Sequence, residues 1–386
     1  MAINWNPWAK AGMATPEALR QFAEQGIKAI QPTAGRRMLD EELGYGRKGQ
    51  AEVVIGDGPW NRAASVDSTW IRTGFPLLDG TSFKGGDHDG VEVVLTLDAK
   101  RDRYLQDHRI DGKAVFPFAM AMELMSEVVQ QGWPDLVVTG IQSARRFQGI
   151  VLDGERQEIR VVARPHSGIS AGQEVSRLDV TIGGLNQEGL PYYRATVEVG
   201  NQLPISPDYD AAVLSSLRPF PMNADEAYEK WLFHGPCFQG ISKVDGFNDK
   251  GLCAVLLPSV PSVCLNRKID SPWLIDPVVI DSAFQLSILW ERAHYDMTFL
   301  ISSVGSYRRF GSFSTGPVRC WAEMHAGAGG HLLSTDFHFV DESGKVIATI
   351  ENMEGSCSKE LNRIVDALGH RKERTHRRDS KDARNR

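Results

Sequence analysis

Long apolar runs are absent from this sequence of 386 residues, and none approaches the 18 or more consecutive apolar residues that a membrane-spanning helix requires. The start, Met1 to Lys10, has no basic region followed by an apolar core, so no secretory signal is predicted. An excess of positive charge is also absent, because 43 Lys and Arg stand against 49 Asp and Glu, for a net charge of −6. These absences favour a cytoplasmic protein with neither a membrane nor a nucleic acid as its partner.

Cysteine is scarce and irregularly spaced. Five Cys residues are an odd number without a CxxC pair, which predicts neither a disulfide framework nor a structural zinc site. One short run of acidic and His residues, 87–89, has no second cluster to join, so we interpret it as a solvated loop and predict no metal ion. The hydrophobic fraction of 42% is typical of globular proteins and excludes disordered and fibrous classes.

Two long apolar helices stand out among strands with alternating patterns. One is predicted from Pro117 to Gln131, and the other begins at Asp276 and Pro277 and continues to about Ala293. Strand patterns surround each helix, and a Pro-rich linker separates the two halves. The pattern indicates an α+β fold, and a curved antiparallel sheet wrapped around the helix of each half is one way to bury such a set of elements. The strand candidates are 91–97, 159–163, 178–182, 193–199, 318–324, 333–340 and 346–351.

The first constellation that carries chemistry is His108, Gly112 and Pro117. Pro117 suits the first turn of the predicted helix, where no backbone N–H is missed. Gly112 permits a tight turn or the close approach of a ligand. A neutral imidazole, with an ordinary pKa of about 6.5, is a good base near neutral pH, so His108 is a candidate general base.

The second constellation is Asp281 and Gln285 on the second helix. Positions i and i+4 share one helix face, so the Gln285 amide can orient the Asp281 carboxyl, although simple packing of Gln285 explains its position equally well. The rest of that face is apolar, and desolvation there raises the pKa of a carboxyl and makes it a plausible proton donor.

The third constellation is a turn made of His234, Gly235, Pro236, Cys237 and Phe238. Gly235 and Pro236 form a turn that brings backbone amides and the Phe238 ring near whatever binds there. For His234, a buried hydrogen bond is a more favoured interpretation than proton transfer.

The three motifs, in this order and spacing, resemble a polyketide synthase dehydratase domain, and the dehydratases of polyunsaturated fatty acid synthases are similar. The motifs are HxxxGxxxxP at 108–117, GPxF at 235–238 and DxxxQ at 281–285. The resemblance covers about Phe75 to Cys357 and includes the opening run Phe75-Pro-Leu-Leu, with Phe75 where the family commonly has His. His234 stands where the family frequently has Tyr.

The resemblance implies a double hotdog, two hotdog units that each wrap a long helix in a curved antiparallel sheet. It also implies a 3-hydroxyacyl-[acyl carrier protein] dehydratase, a hydro-lyase without cofactor. In such an enzyme His108 removes the C2 proton and Asp281 protonates the departing hydroxyl. Backbone amides near Gly112 and the start of the first helix polarise the thioester carbonyl. The substrate arrives on the phosphopantetheine of an acyl carrier protein, and a homodimer is expected by resemblance only.

Residues 1–60 resemble the closing part of a ketoreductase domain. The run Ile3-Asn-Trp-Asn-Pro-Trp, followed by Gly12-Met-Ala, is similar to the Asn-Trp-Gly-Pro-Trp of that family, with Asn6 in place of Gly. The nucleotide-binding glycines and catalytic residues of a ketoreductase would lie upstream, so NADPH binding is not expected. The resemblance favours a fragment of a multienzyme whose neighbouring ketoreductase and other synthase domains are partners.

The sequence thus predicts five segments and leaves alternative functions open. A product-template-type aldol cyclase would use the same His and Asp pair, although such enzymes act on unreduced chains and the ketoreductase remnant favours dehydration. A non-catalytic acyl-binding or dimerisation module would leave His108 and Asp281 far apart. The segments are a ketoreductase remnant at 1–60, hotdog units at 67–205 and 223–358, a linker at 206–222, and a basic disordered tail at 359–386.

Overall fold

The structure of the protein is a computed structural model, and its chain divides into two compact units, Met1–Ser68 and Thr69–Arg386. Each unit is described by itself. The structure describes residues 2–5, 7–9, 15, 19–20, 22, 28–45, 52–55, 74–78, 81–85, 90–166, 176–185, 189–209, 214–267, 269, 271–313 and 316–364.

In the first unit, strand β1 (Ala2–Trp5) pairs in parallel with β2 (Glu52–Ile55), and helix α1 spans Pro32–Tyr45. Part of the ketoreductase-like run, Gly12–Ala14, lies outside the described residues. The assignment of this unit as a ketoreductase remnant stays a prediction.

The second unit contains fourteen of the strands and five α-helices among its described residues, together with a short 3-10 turn at Pro236–Phe238. The helices are α2 (Tyr104–Asp107), α3 (Phe118–Gly132), α4 (Ala224–Lys230), α5 (Pro261–Cys264) and α6 (Pro277–Tyr295). The strands are β3 (Ser82–Gly85), β4 (Val91–Asp98), β5 (Arg109–Ile110), β6 (Lys113–Ala114), β7 (Val137–Arg146), β8 (Arg156–Pro165), β9 (Arg177–Gly184), β10 (Tyr193–Gly200), β11 (Ile241–Asn248), β12 (Gly251–Leu256), β13 (Thr298–Arg309), β14 (Val318–Ala326), β15 (Leu332–Val340) and β16 (Val346–Ser358).

Twelve of these strands form one antiparallel sheet, in the order β11-β12-β14-β15-β16-β13-β7-β10-β9-β8-β4-β3. The first half of the chain supplies six neighbouring strands and the second half the other six. The halves join where β7 pairs with β13, with Ile141 opposite Tyr307. Along β4, β10 and β15, buried residues alternate with more exposed ones, because one face of the sheet packs on the core.

Each half of the sheet wraps one long helix. Helix α3 packs against β4, β7, β8, β9 and β10, and α6 packs against β12, β13 and β14. Phe118 through Val129 of α3 are all buried, as are Pro277 through Glu291 of α6. A helix that is apolar on nearly every side belongs inside a core, and these two also pack against each other. The predicted α+β double hotdog is confirmed.

The alternation of apolar and polar residues in the sequence did not predict strands β7 and β13, which lie at the centre of the sheet. The burial of β13 does not alternate, and its pairing with β16 shifts register between Ile301 and Ser303. A bulge of this kind interrupts the two-residue period by which strands are recognised in a sequence. Within the described part of the chain, no helix is long and apolar enough to cross a membrane.

Candidate active site

A pocket opens between residues of the two hotdog halves, with about 560 Å³ of empty space when its opening to solvent is included. Its wall is mostly apolar and aromatic, and four of its polar side chains, His108, His234, Asp281 and Gln285, lie close together, as in most small-molecule sites. The lining residues are His108, Ile110, Val115, Phe116, Phe118, Arg146, Tyr193, Phe233, His234, Asp281, Phe284, Gln285, Ile288, Phe299, Leu300 and Ile301.

His108 is held by a short hairpin that follows it. Strands β5 and β6 pair across a two-residue turn in which Asp111 and Gly112 both have positive φ, +50° and +79°. The hairpin returns the chain so that Val115 N–H donates to the His108 carbonyl, and His108 Nδ1 lies 2.7 Å from the Val115 carbonyl. Since a carbonyl can only accept, Nδ1 carries the proton and donates it. The Nε2 lone pair is thereby left free to act as a base.

Asp281 lies in the second turn of α6, and its carboxylate accepts a hydrogen bond from Gln285. The Gln285 Nε2 donates to Asp281 Oδ2 over 2.8 Å and to the Phe238 carbonyl over 2.9 Å. The amide group therefore has its orientation set at two points, and it in turn orients the carboxyl. Of the two interpretations left open by the sequence, orientation and packing, the geometry favours orientation.

The turn at 234–238 is attached to the residue that precedes His108. Gly235 N–H donates to the Asp107 carbonyl over 2.7 Å, and Cys237 N–H donates to Asp107 Oδ2 over 2.9 Å. These bonds bring the His234 ring to a centroid distance of 5.6 Å from the His108 ring, while His234 Nε2 lies 3.4 Å from Asp281 Oδ2. One turn from the second half thus contributes to both sides of the pocket.

Gly235 is required by close approach, because its φ of −78° is available to any residue. A Cβ at this position would lie 2.5 Å from Asp107 Oδ1 and 2.8 Å from Asp107 Cα. Gly235→Ala is therefore expected to push the turn off Asp107 and lower the free energy of unfolding by about 1–3 kcal/mol, the usual cost of overpacking. Chemical denaturation measures this loss. Gly74→Ala, where an added Cβ meets nothing within 4 Å, is the control, and equal stability of the two variants would contradict the argument.

Burial moves the pKa values of the acid and the base in opposite directions. His108, Asp281 and His234 are 8%, 5% and 6% exposed. Desolvation lowers the pKa of His108 to about 4, against a smaller raising effect of the Val115 hydrogen bond. Desolvation raises the pKa of Asp281 to about 7, and the Gln285 hydrogen bond opposes it. Near neutrality the pocket therefore holds a neutral imidazole and a carboxyl that is protonated in a large fraction of molecules.

His234 is also neutral, since burial lowers its pKa well below the ordinary value and the neighbouring His108 lowers it further. Its Nδ1 has no hydrogen-bond partner among the residues that the structure describes. The ligand atoms of His108, His234 and Asp281 lie within 4.8 Å of one another, close enough to coordinate a divalent cation. The prediction that no metal ion takes part stays a prediction.

The nine residues singled out in the sequence fall into two groups. His108, His234, Asp281 and Gln285 line the pocket together, which is not the wide separation that a non-catalytic module would show. The others build the frame behind the pocket wall. Gly112 is at the hairpin tip, Pro117 precedes α3 as its N-cap, Gly235 and Pro236 form the turn, and the Phe238 ring lies 5.8 Å from His108.

Sequence reasoning missed several lining residues, most clearly Arg146 and Tyr193. Arg146 ends β7 and donates from Nη2 to the Ile301 carbonyl across the junction of the halves, over 2.7 Å. Tyr193 begins β10 and donates its hydroxyl to the Phe116 carbonyl over 3.1 Å. Neither residue belongs to a local motif, and only the pairing of distant strands brings them to the pocket.

Two family profiles match this chain. Residues 214–363 match the polyketide synthase dehydratase N-terminal domain, and residues 76–177 match the polyketide synthase dehydratase domain. A curated relative is one of the subunits of the polyunsaturated fatty acid synthase of Thraustochytrium sp., 26% identical over 365 residues. The match covers 90% of this chain and 12% of the relative, so the chain spans only a small part of that protein.

Solved structures share the fold at low sequence identity. The dehydratase domain from the CurJ module of curacin polyketide synthase has a TM-score of 0.58 and 14% identity, over 76% of this chain and 99% of that one. A second CurJ dehydratase structure, described as an inactive mutant with Phe in place of a His and in complex with a compound, has the same TM-score and identity over 75% and 98%. The dehydratase domain of a mycocerosic acid synthase-like polyketide synthase has a TM-score of 0.58 and 17% identity, over 73% and 95%.

Proposed function

We propose that this chain is a dehydratase of the polyketide synthase type, whose family models match residues 76–177 and 214–363, and that its pocket removes water from a 3-hydroxyacyl thioester to form the 2-enoyl thioester. The observation that carries this proposal is the convergence of a neutral imidazole and a raised-pKa carboxyl in one largely apolar pocket. Elimination of water near neutral pH needs one group that accepts a proton and another that donates one. Burial in this pocket prepares His108 for the first role and Asp281 for the second.

In the proposed reaction His108 Nε2 takes the proton from C2 of the acyl chain. The electrons of the broken C2–H bond form the C2=C3 double bond, and the C3–O bond breaks. Asp281 donates its proton to the departing hydroxyl, which leaves as water. Val115 fixes the reacting tautomer of His108, and Gln285 directs the Asp281 carboxyl.

The thioester carbonyl needs a partner while C2 loses its proton, and the start of α3 offers one. Phe118, the first residue of α3, lines the pocket, and the Pro117 side chain makes no capping hydrogen bond to the first turn. The first backbone N–H groups of a helix lack intrahelical acceptors and carry partial positive charge. We propose that these groups, more than Gly112 at the hairpin tip, stabilise the developing oxyanion.

His234 is proposed to hold Asp281 rather than to move the substrate proton. Its Nε2 faces the Asp281 carboxyl, and its ring stacks on Phe233 at a centroid distance of 4.0 Å. An unpartnered buried Nδ1 costs free energy, so a polar group of the substrate that reached it would gain a hydrogen bond.

The wider assignments are proposals as well. The substrate is carried on the phosphopantetheine of an acyl carrier protein, no further cofactor takes part, and the protein forms a homodimer. A ketoreductase that precedes this domain would make its 3-hydroxyacyl substrate. This order fits the ketoreductase-like run from Ile3 to Trp8 and the likeness to part of a polyunsaturated fatty acid synthase. The domain boundaries given above remain part of this proposal.

The test is mass spectrometry of an acyl carrier protein loaded with a 3-hydroxyacyl group and incubated with the protein. We expect loss of one water from the carrier-bound chain, and the reverse hydration when an enoyl carrier is supplied. An unchanged mass at enzyme concentrations comparable to that of the carrier would contradict dehydration. Ring closure of an unreduced polyketide chain by the same protein would favour the aldol cyclase instead.

A further inference from the structure

Glu123 is a fully buried carboxylate in the middle of α3, where every neighbouring position on the helix is buried as well. Both of its oxygens accept backbone hydrogen bonds from one distant segment. The Leu274 N–H donates to Oε1 and the Ile275 N–H donates to Oε2, each over 2.8 Å. Two consecutive backbone amides thus bind the two oxygens of one carboxylate. These two hydrogen bonds link α3 to the residues just before α6.

The start of α6 needs such support. Its N-cap, Asp276, has φ of +47°, a left-handed conformation that is costly for a residue with a side chain. The Asp276 carboxylate caps the Val278 and Val279 amides and accepts two hydrogen bonds from Ser259. A strained residue persists only where its surroundings determine its conformation, and Glu123 holds the two residues on its N-terminal side.

Asp281 follows this cap by five residues of helix. A helix behaves as a short rod, so a displacement or rotation at its first residue is transmitted to the side chain one turn later. Helix α3 in turn begins at Phe118, which lines the pocket close to the elements that hold His108. The Glu123 contacts therefore join the half of the pocket that supplies the base to the helix that supplies the acid.

We infer that Glu123 is a positioning residue for the dehydration, because its carboxylate holds the start of α6 against α3 so that Asp281 faces His108. This inference rests on the proposed function. Glu123 does not line the pocket, so it acts through Asp281 and does not touch the substrate.

The chain provides a matched control one turn further along α3. Glu127 is also fully buried, and its Oε2 accepts the Leu77 N–H over 2.9 Å. Leu77 lies in the segment 74–78, which precedes β3 and is far in sequence from α6. Glu123→Gln and Glu127→Gln make the same change on the same helix at the same burial, but of these two residues only Glu123 bonds the residues just before α6. The Glu127 side chain also interacts with Glu123. Because burial raises the pKa of Glu127 well above its ordinary value, Gln at position 127 keeps a neutral group with a hydrogen-bond donor beside Glu123.

In the carrier-protein assay, Glu123→Gln is expected to lower kcat about ten- to a hundredfold, the usual cost of misplacing a reacting group by about an ångström. KM should stay within about threefold, because Glu123 does not line the pocket and every lining side chain is retained. Glu127→Gln should change kcat by less than about threefold. Hydrogen exchange in the free protein supplies a readout independent of activity: the Leu274 and Ile275 amides should exchange faster in Glu123→Gln and not in Glu127→Gln.

An equal fall of kcat in the two variants, or exchange at 274–275 that does not respond to Glu123→Gln, would overturn the role of Glu123. Should Glu123→Gln fail to fold, Glu123→Asp keeps the charge on a shorter side chain and is expected to show the same selective fall in kcat. A wild type that forms no enoyl product would overturn the proposed function itself. An active wild type with an unaffected Glu123→Gln would overturn only the positioning role.

Discussion

We expect His108→Asn and Asp281→Asn each to lower kcat for enoyl formation by about a hundred- to ten-thousandfold. Each substitution removes one proton transfer, and a positioned acid or base contributes about that factor. The double variant should lose little more than either single one, because residues that act as a unit are far from additive. Initial rates of water loss from a loaded carrier protein, followed by mass spectrometry, measure the effect.

A control pair with the same chemistry lies away from the pocket, on strands β14 and β15. His325 Nε2 and Asp336 Oδ2 are 3.3 Å apart on β14 and β15, and both side chains are partly exposed. His325→Asn and Asp336→Asn should leave kcat within about threefold of the wild type. Turnover retained in His108→Asn or in Asp281→Asn would remove that residue from the mechanism.

Loss of activity in Asp281→Asn can be separated from loss of fold by its stability. Because burial raises the folded pKa of Asp281 from 3.8 to about 7, ionisation of this group costs stability, by up to about 4 kcal/mol above pH 7. The cost is absent below pH 4, where the carboxyl is protonated in both the folded and the unfolded chain. Asp281→Asn is therefore expected to be more stable than the wild type at pH 8 and about equally stable at pH 4, as measured by denaturant unfolding.

The second large effect is a bell-shaped dependence of kcat/KM on pH. The base works only when His108 is neutral, above its pKa of about 4, and the acid works only when Asp281 is protonated, below its pKa of about 7. The rate should therefore be highest between these values and fall about tenfold per pH unit beyond each. Because His108 and Asp281 lie close enough to interact, the two apparent pKa values of the profile describe the pair and not each residue separately.

Initial rates at constant ionic strength from pH 3 to pH 9 give this profile. Gln285→Leu is expected to shift the alkaline limb to higher pH, because the substitution removes a hydrogen bond that favours the ionised Asp281 carboxyl. A profile that rises through pH 8 would contradict Asp281 as the acid and would favour an ionised carboxylate in the reaction.

Much of the fold could be predicted from local patterns. The second long helix begins at Pro277 with Asp276 as its cap, as its Asp-Pro pair predicts, and the first begins one residue after Pro117. Strands in which buried residues alternate with more exposed ones, such as β4 and β15, were also predictable. Strands β7 and β13 were not, because they meet at the centre of the sheet, where bulges break the alternation that would reveal them.

Of the site, the sequence by itself determined the candidates for base and acid, His108 and Asp281, because a His, a Gly and a Pro at fixed spacing and an Asp on an apolar helix face are local patterns. Only the tertiary structure decided how they cooperate. Several hydrogen bonds of the site join segments that are far apart in the chain. They are the bonds of Gly235 to Asp107, of Gln285 to Phe238, and of Leu274 and Ile275 to Glu123. Such contacts depend on two surfaces that meet only after folding. Burial in the finished core likewise separates the two pKa values, which is why the chemistry of the pair is a property of the fold.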